Sequence, residues 1–188
     1  MIFVTVGAQM PFDRLVQCVD EWAGARGRAD VFAQIGRGGR TPRHIEWTRY
    51  LDPIEFRQRM FAADLVVAHA GMGTVITALE LGRPLLVLPR RGELRETRND
   101  HQIASARRLR ERGDVTVAFN ETELLMAMDR MERLTPPAPI ASHAALSLLT
   151  TVRNFVRDGA LPSAGPPSDQ PLATIKPEPA TDDRRLAA

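Results

Sequence analysis

The stretch VVAHAGMGT, residues 66–74, gathers residue types that suit phosphate chemistry. Apolar residues run up to His69; Gly71 and Gly73 follow, with Met72 between them, and then Thr74. Glycine permits positive φ and, lacking a Cβ, lets a ligand approach the backbone. With a helix starting here, the free N–H groups of Gly73, Thr74 and Val75 point into a cleft. Together with the helix dipole they form an anion site. The Thr74 hydroxyl adds a donor, and a phosphate or diphosphate is the natural guest. The same residues also fit a tight strand-to-helix turn that holds nothing. The segment is not a P-loop, because no GK[ST] follows, and its glycines lack the spacing of a dinucleotide fingerprint. His69 either donates to a phosphate oxygen or sugar hydroxyl, or is a structural histidine satisfied by a backbone carbonyl. His44, His69, His101 and His143 include no pair at ligand spacing, so no metal site is expected.

A second group lies in PRRGELRETRND, residues 89–100, which carries Arg90, Arg91, Arg95 and Arg98. The planar guanidinium fork suits phosphate oxygens, a sugar carboxylate or a pyrophosphate. Glu93 and Glu96 in the same stretch equally allow an exposed loop that pairs with itself. One or two of these arginines at most are expected to touch a ligand.

The elements that position these residues alternate. Ile2–Val6 reads as a buried strand ended by Gly7, and Phe12, Leu15, Val16, Val19 and Ala23 recur at helical spacing after Pro11. Val31–Ile35 and Ile45–Leu51 read as strands, separated by a glycine- and arginine-rich loop over 36–42. Asp52-Pro53-Ile54-Glu55 is a helix start with a cap, a first-turn proline and an acid at the capping-box position. Ile54 and Phe61 lie two turns apart on that helix, with Met60 beside them. Asp64–Ala68 reads as the strand that delivers His69, and Val75, Ile76 and Leu79 mark a short helix ended by Gly82 and Pro84. Leu85–Leu88 reads as a strand, 99–112 as a helix, Val115–Phe119 as a strand, and 121–131 and 141–156 as helices. This alternation predicts an α/β fold, a Rossmann-like parallel sheet flanked by helices. In such sheets ligands bind outside the carboxyl ends of the strands. The loops Gly7–Met10, His69–Thr74 and Pro89–Arg98 share that edge.

A chain of 188 residues suits one domain, since domains commonly run to about 100–200 residues. The expected division is an α/β domain over 1–158 and a Pro/Ala-rich tail over 159–188 that cannot bury enough apolar surface to order itself. The lone cysteine, Cys18, excludes an internal disulfide and suits a reducing compartment. No apolar run approaches the roughly 20 residues needed to span a bilayer. The start MIFVTVGAQM has no basic leader, so a cytoplasmic location is expected. A net charge of +2 does not call for a nucleic-acid partner.

Three segments, MIFVTVGAQMPFDRLV, DLVVAHAGMGTVITALELGRPLLVLPR and NDHQIASARRL, together resemble the C-terminal domain of family 28 glycosyltransferases. The likeness is strongest to bacterial exopolysaccharide subunits related to the eukaryotic Alg13 subunit and covers roughly residues 1–135. The resemblance implies the C-terminal half of a GT-B fold, which binds a UDP-sugar donor. A separate, membrane-anchored subunit similar to Alg14 would present a lipid-linked acceptor, and the pair would sit at the inner face of the membrane. The resemblance also assigns residues. Gly71, Met72, Gly73 and Thr74 would hold the donor diphosphate beside His69, and Tyr50 and Leu51 would pack and bond the uracil. Asn99, Asp100, His101 and Gln102 would face the donor sugar and phosphates, with Gly7, Ala8 and Gln9 on the opposite wall and Arg90 adding charge. Where many relatives carry a ribose-binding glutamate this sequence has Thr77, with Glu80 one turn further on.

The family inverts at the anomeric carbon by a single displacement, in which a base deprotonates the acceptor hydroxyl as UDP leaves. The sequence shows no convincing base, which the partner would then supply. No cofactor is expected: the UDP-sugar is a substrate, and helix N-termini with positive side chains take the place of a metal. The alternative is a non-catalytic nucleotide-sugar-binding or regulatory subunit that stabilises a membrane partner. An enzyme completed by homodimerisation is a further arrangement.

Overall fold

Four of the strands form for the simplest reason, an unbroken apolar run with nowhere else to go. The computed structural model describes residues 1–113 and 115–140, all within one unit spanning Met1–Ser142. In it β1 (Ile2–Thr5), β2 (Val31–Gln34), β4 (Leu65–His69) and β5 (Leu85–Leu88) are almost wholly buried. Two shorter strands, β3 (Glu46–Thr48) and β6 (Thr116–Val117), lie at the edges. All pairings are parallel, and the order is β3-β2-β1-β4-β5-β6.

Helices cover both faces, as strands buried on two sides require. Ile2, Val4, Leu65, Val67, Leu86 and Leu88 face one layer, with α1 (Asp13–Ala25) and α5 (Glu121–Met128) packed there through Leu15, Val16, Val19, Leu124 and Met128. Phe3, Val66, Ala68, Leu85 and Val87 face the other, against Met60 of α2 (Pro53–Ala62), Val75 and Ala78 of α3 (Met72–Glu80), and Ala106 of α4 (His101–Arg112). Asp20 is a buried carboxylate on α1 that accepts N–H bonds from Arg43 (2.9 Å) and His44 (2.7 Å), pinning the loop that leads into β3.

Local signals held where they were local. Asp52 accepts from the Ile54 and Glu55 amides at 2.8 and 2.9 Å and caps α2. Gly113 ends α4 at φ 77°, the left-handed conformation glycine takes at helix C-termini. The expected third strand shrinks from Ile45–Leu51 to three residues, because only Glu46–Thr48 finds a neighbour on the one side an edge strand has. On α2, Met60 is fully buried while Ile54 and Phe61 face outward, so the apolar spacing there does not mark the packed face. Helix α4 starts at His101 and α5 ends at Met128, followed by a short 3₁₀ turn at Met131–Arg133. The helix expected over 141–156 and the tail over 159–188 lie outside the described residues. Among the described residues no helix is long and apolar enough to cross a membrane.

Candidate functional site

The strand order reverses between β1 and β4, because the chain runs outward from β1 to β3 and then returns to the other side of β1. At such a switch point the loops leaving the two strands turn to opposite faces and a crevice opens beyond the strand ends. Here it is a cleft of about 370 Å³, lined by Val6, Gly7, Ala8, Gln9 and Met10 after β1 and by His69, Gly71, Gly73 and Thr74 after β4. Arg90, Thr97, His101 and Gln102 close the remaining wall. Among the described residues no carboxylate belongs to this lining.

The two glycines of the β4–α3 turn have different jobs. A Cβ on Gly71 would lie 2.1 Å from His69 Nε2, and one on Gly7 would lie 2.6 Å from His69 Cε1. The imidazole is therefore seated between two glycine backbones, and Gly7 additionally turns the chain at φ 76°. A Cβ on Gly73 would meet nothing within 4 Å, so the missing side chain there leaves the cleft open. Gly71 is the N-cap of α3, and Val75 N–H donates to its carbonyl at 3.1 Å. The expectation that Val75 offers a free amide is thus corrected: the first-turn groups without an intrahelical partner belong to Met72, Gly73 and Thr74.

His69 is neutral near pH 7. Burial pushes its pKa down to about 4, the Arg90 charge adds to the shift, and the Thr5 backbone opposes it. Its Nδ1 is buried with no hydrogen-bond partner among the described residues. Such a ring can donate or accept a hydrogen bond, but it brings no positive charge to an anion.

Arg90 is buried, only 4% exposed, and lies 4.7 Å over the Phe12 ring. Its guanidinium donates to the carbonyls of Val6 (2.9 Å), Met10 (2.7 Å), Pro11 (2.6 Å) and Glu96 (3.2 Å). Burial pulls it down to about 10, against the pull of Glu96, so it stays charged at neutral pH. Arg91 donates to the Phe119 carbonyl at 2.6 Å and pairs with Glu93 at 3.2 Å. Glu96 binds Arg14 of α1 through both oxygens, at 2.6 and 2.8 Å. The 89–100 stretch is accordingly tied into the protein, with Arg91–Glu93 as one pair within it.

Of the expected residues, Gly7, Ala8, Gln9, His69, Gly71, Gly73, Thr74, Arg90, His101 and Gln102 converge on the cleft. Six others are not part of its lining. Tyr50 is exposed after the short β3, and Leu51 packs in the core beside Met60. The Met72 side chain is half exposed. The Thr77 hydroxyl donates to the Gly73 carbonyl at 2.9 Å, so it serves its own helix, and Glu80 pairs with Arg57 at 3.3 Å. Asn99 accepts from the His101 amide and contacts its ring, while Asp100 accepts from Gly92 N–H at 2.7 Å. Val6, Met10 and Thr97 line the cleft without having been singled out; Val6 and Met10 flank the turn that was. Among the described residues no three His, Cys, Asp or Glu side chains are grouped to hold a metal ion.

The model of the glycosyltransferase family 28 C-terminal domain matches residues 1–130. The chain belongs to this family. Human UDP-N-acetylglucosamine transferase subunit ALG13 is 32% identical over 124 residues, 60% of this chain and 10% of that protein. The chain thus spans about a tenth of the length of that relative. The solution structure of ALG13 superposes with a TM-score of 0.52 at 23% identity, over 83% of this chain and 92% of that one. The glycotransferase of kitacinnamycin superposes with a TM-score of 0.53 at 19% identity, over 70% of this chain and 34% of that one. At these identities the structures show a shared Rossmann-like fold.

Proposed function

We propose that this chain is the donor-binding subunit of a two-component inverting glycosyltransferase, moving a hexosyl or uronosyl group from a UDP-sugar. The observation that carries the reading is the start of α3: the first-turn amides of Gly73 and Thr74 belong to residues that line a cleft with no carboxylate among the described lining residues. A diphosphate is an anion that such amides and the helix dipole stabilise, and more strongly as it becomes the leaving group. In this reading Thr74 adds a hydroxyl, His69 a neutral hydrogen-bonding ring, and Gln9 and His101 reach the donor from opposite walls. The acceptor is a lipid-linked sugar presented by a membrane-anchored Alg14-like subunit, which also supplies the base. The pair works in exopolysaccharide biosynthesis at the inner face of the membrane. Family membership and the similarity to a UDP-N-acetylglucosamine transferase subunit support the sugar-nucleotide part of the reading.

Calorimetric titration of the chain with UDP, a panel of UDP-sugars, and GDP as control tests it. Saturable UDP binding is expected, abolished by Gly73→Val, whose side chain would enter the open space beside the helix terminus. The absence of UDP binding at millimolar concentration, both alone and with the membrane subunit, would overturn it.

A further inference from the structure

The buried guanidinium of Arg90 is anomalous for a phosphate-binding arginine. Its four hydrogen bonds go to main-chain carbonyls of the protein itself. A charge taken out of water is costly unless it is well bonded, so such a group is retained where its bonds do work. Three of those carbonyls, on Val6, Met10 and Pro11, bracket the exposed loop Ala8–Met10 that forms one wall of the cleft. The fourth, on Glu96, directly precedes Thr97 of the opposite wall, and the Arg90 backbone N–H donates to Gln102 Oε1 of that wall at 3.2 Å.

The topology explains why a long side chain is needed. Strand β1 and strand β5 are not neighbours, because β4 lies between them. Arg90 follows β5 and reaches across the end of β4 to the segment after β1. The return connection is made by Arg14 of α1, which donates to the Pro89 carbonyl at 3.0 Å and binds the Glu96 carboxylate with both nitrogens. Each segment thus grips the other's backbone with an arginine. Among the described residues the loop over 7–10 has little else to hold it: its one other hydrogen bond is Gly7 N–H to the Thr5 hydroxyl at 3.1 Å.

We propose that Arg90 is a positioning residue of the donor cleft, a strut that fixes the wall formed by Gly7–Met10 and does not itself touch the nucleotide. The proposal rests on the reading of the cleft as a UDP-sugar site. It separates Arg90 from the arginines that would neutralise a diphosphate. It also predicts that a positive charge alone is not enough: a lysine has three donors on a single nitrogen, whereas here two separate guanidinium nitrogens meet four carbonyls.

Two variants of the full chain test this, Arg90→Met, which keeps the stem, and Arg90→Lys, which keeps the charge. Amide ¹⁵N relaxation reads the order of Ala8, Gln9 and Met10, and calorimetry reads affinity for UDP. In the unsubstituted chain the three amides are expected to be rigid, with order parameters of about 0.85, falling below about 0.6 in both variants. UDP affinity is expected to fall at least tenfold in both. Lost UDP binding with an unchanged loop would make Arg90 a direct ligand and overturn the proposal. So would a loop already mobile in the unsubstituted chain, or Arg90→Lys matching that chain in both measurements. A loop that loosens with no change in UDP affinity would overturn it as well. Should Arg90→Met fail to fold, Arg90→Lys carries both measurements. An unsubstituted chain that binds no UDP refutes the donor reading instead, and relaxation then decides the strut by itself.

Discussion

If His69 is seated by the absence of two Cβ atoms, adding them should be costly only while the imidazole is there. At Gly71 the backbone has φ −89° and ψ 126°, a conformation open to any residue, so alanine is opposed by contact alone. The contact is severe, 2.1 Å to Nε2, and the ring is flanked on its other side by Gly7. Overpacking of this kind costs about 1–3 kcal/mol. At Gly7 the same clash, 2.6 Å to Cε1, is added to a φ of 76°, and the left-handed conformation costs a non-glycine residue about a further 1–2 kcal/mol. A double-mutant cycle with His69→Ala separates the two terms, read from denaturant unfolding with a constant m-value. Gly71→Ala should become nearly neutral in the His69→Ala background, giving a coupling of about −1 to −3 kcal/mol. Gly7→Ala should be only partly rescued, with the φ penalty left over. Gly73→Ala, where a Cβ meets nothing, should hold or raise stability, by up to about 1 kcal/mol. It should nevertheless weaken UDP binding. A Gly71–His69 coupling within about 0.5 kcal/mol of zero would show that the glycine is not there to seat the ring.

Three further outcomes follow from the same geometry. With its folded pKa near 4 against a usual 6.5, His69 leaves the unfolded chain binding more protons between those values. Stability should therefore fall as pH drops from 6.5 toward 4, by at most about 3 kcal/mol from this group. Unfolding midpoints of the chain and of His69→Gln should converge as pH falls; parallel curves would sink the assignment. Asp20→Ala leaves the Arg43 and His44 amides unpaired beside α1 and should cost about 1–3 kcal/mol, lowering the melting temperature while UDP affinity stays within twofold; a larger loss of affinity would mean that the β2–β3 connection belongs to the site. Thr77→Val should leave UDP binding within threefold, because its hydroxyl is committed to Gly73 O; a tenfold loss would restore Thr77 to the ribose.

The parts of the fold that could be read from sequence are those decided locally. Continuous apolar runs gave β1, β2, β4 and β5, since a strand buried on both faces needs no alternation. Asp52 could be read as a cap because its partners are two and three residues away. Edge strands were drawn too long because their ends depend on a neighbour that the sequence does not display, as at Ile45–Leu51 against the observed Glu46–Thr48. The cleft could be placed on the strand ends, and its membership only in part. Tyr50, Leu51, Thr77, Asn99 and Asp100 sit near the right edge in sequence, yet their side chains are exposed, in the core, or bonded to the backbone of Gly73, His101 or Gly92.

The fold also bears on where the positive character of the site resides. In sequence the four arginines of the 89–98 stretch fit either one or two ligand contacts or an exposed loop that pairs with itself. Buried Arg90 instead holds main-chain carbonyls, and Arg91 is engaged with Phe119 and Glu93. What the cleft can offer an anion is largely uncharged: helix-terminal amides, the Thr74 hydroxyl and a neutral His69. Amides and dipoles are already oriented before a ligand arrives and need no reorganisation as charge develops on a leaving group. They are useful only if the walls stay in place. On the proposed reading, Arg90 supplies that framework: its guanidinium bonds the carbonyls of Val6, Met10, Pro11 and Glu96 and so ties one wall to the segment behind the other.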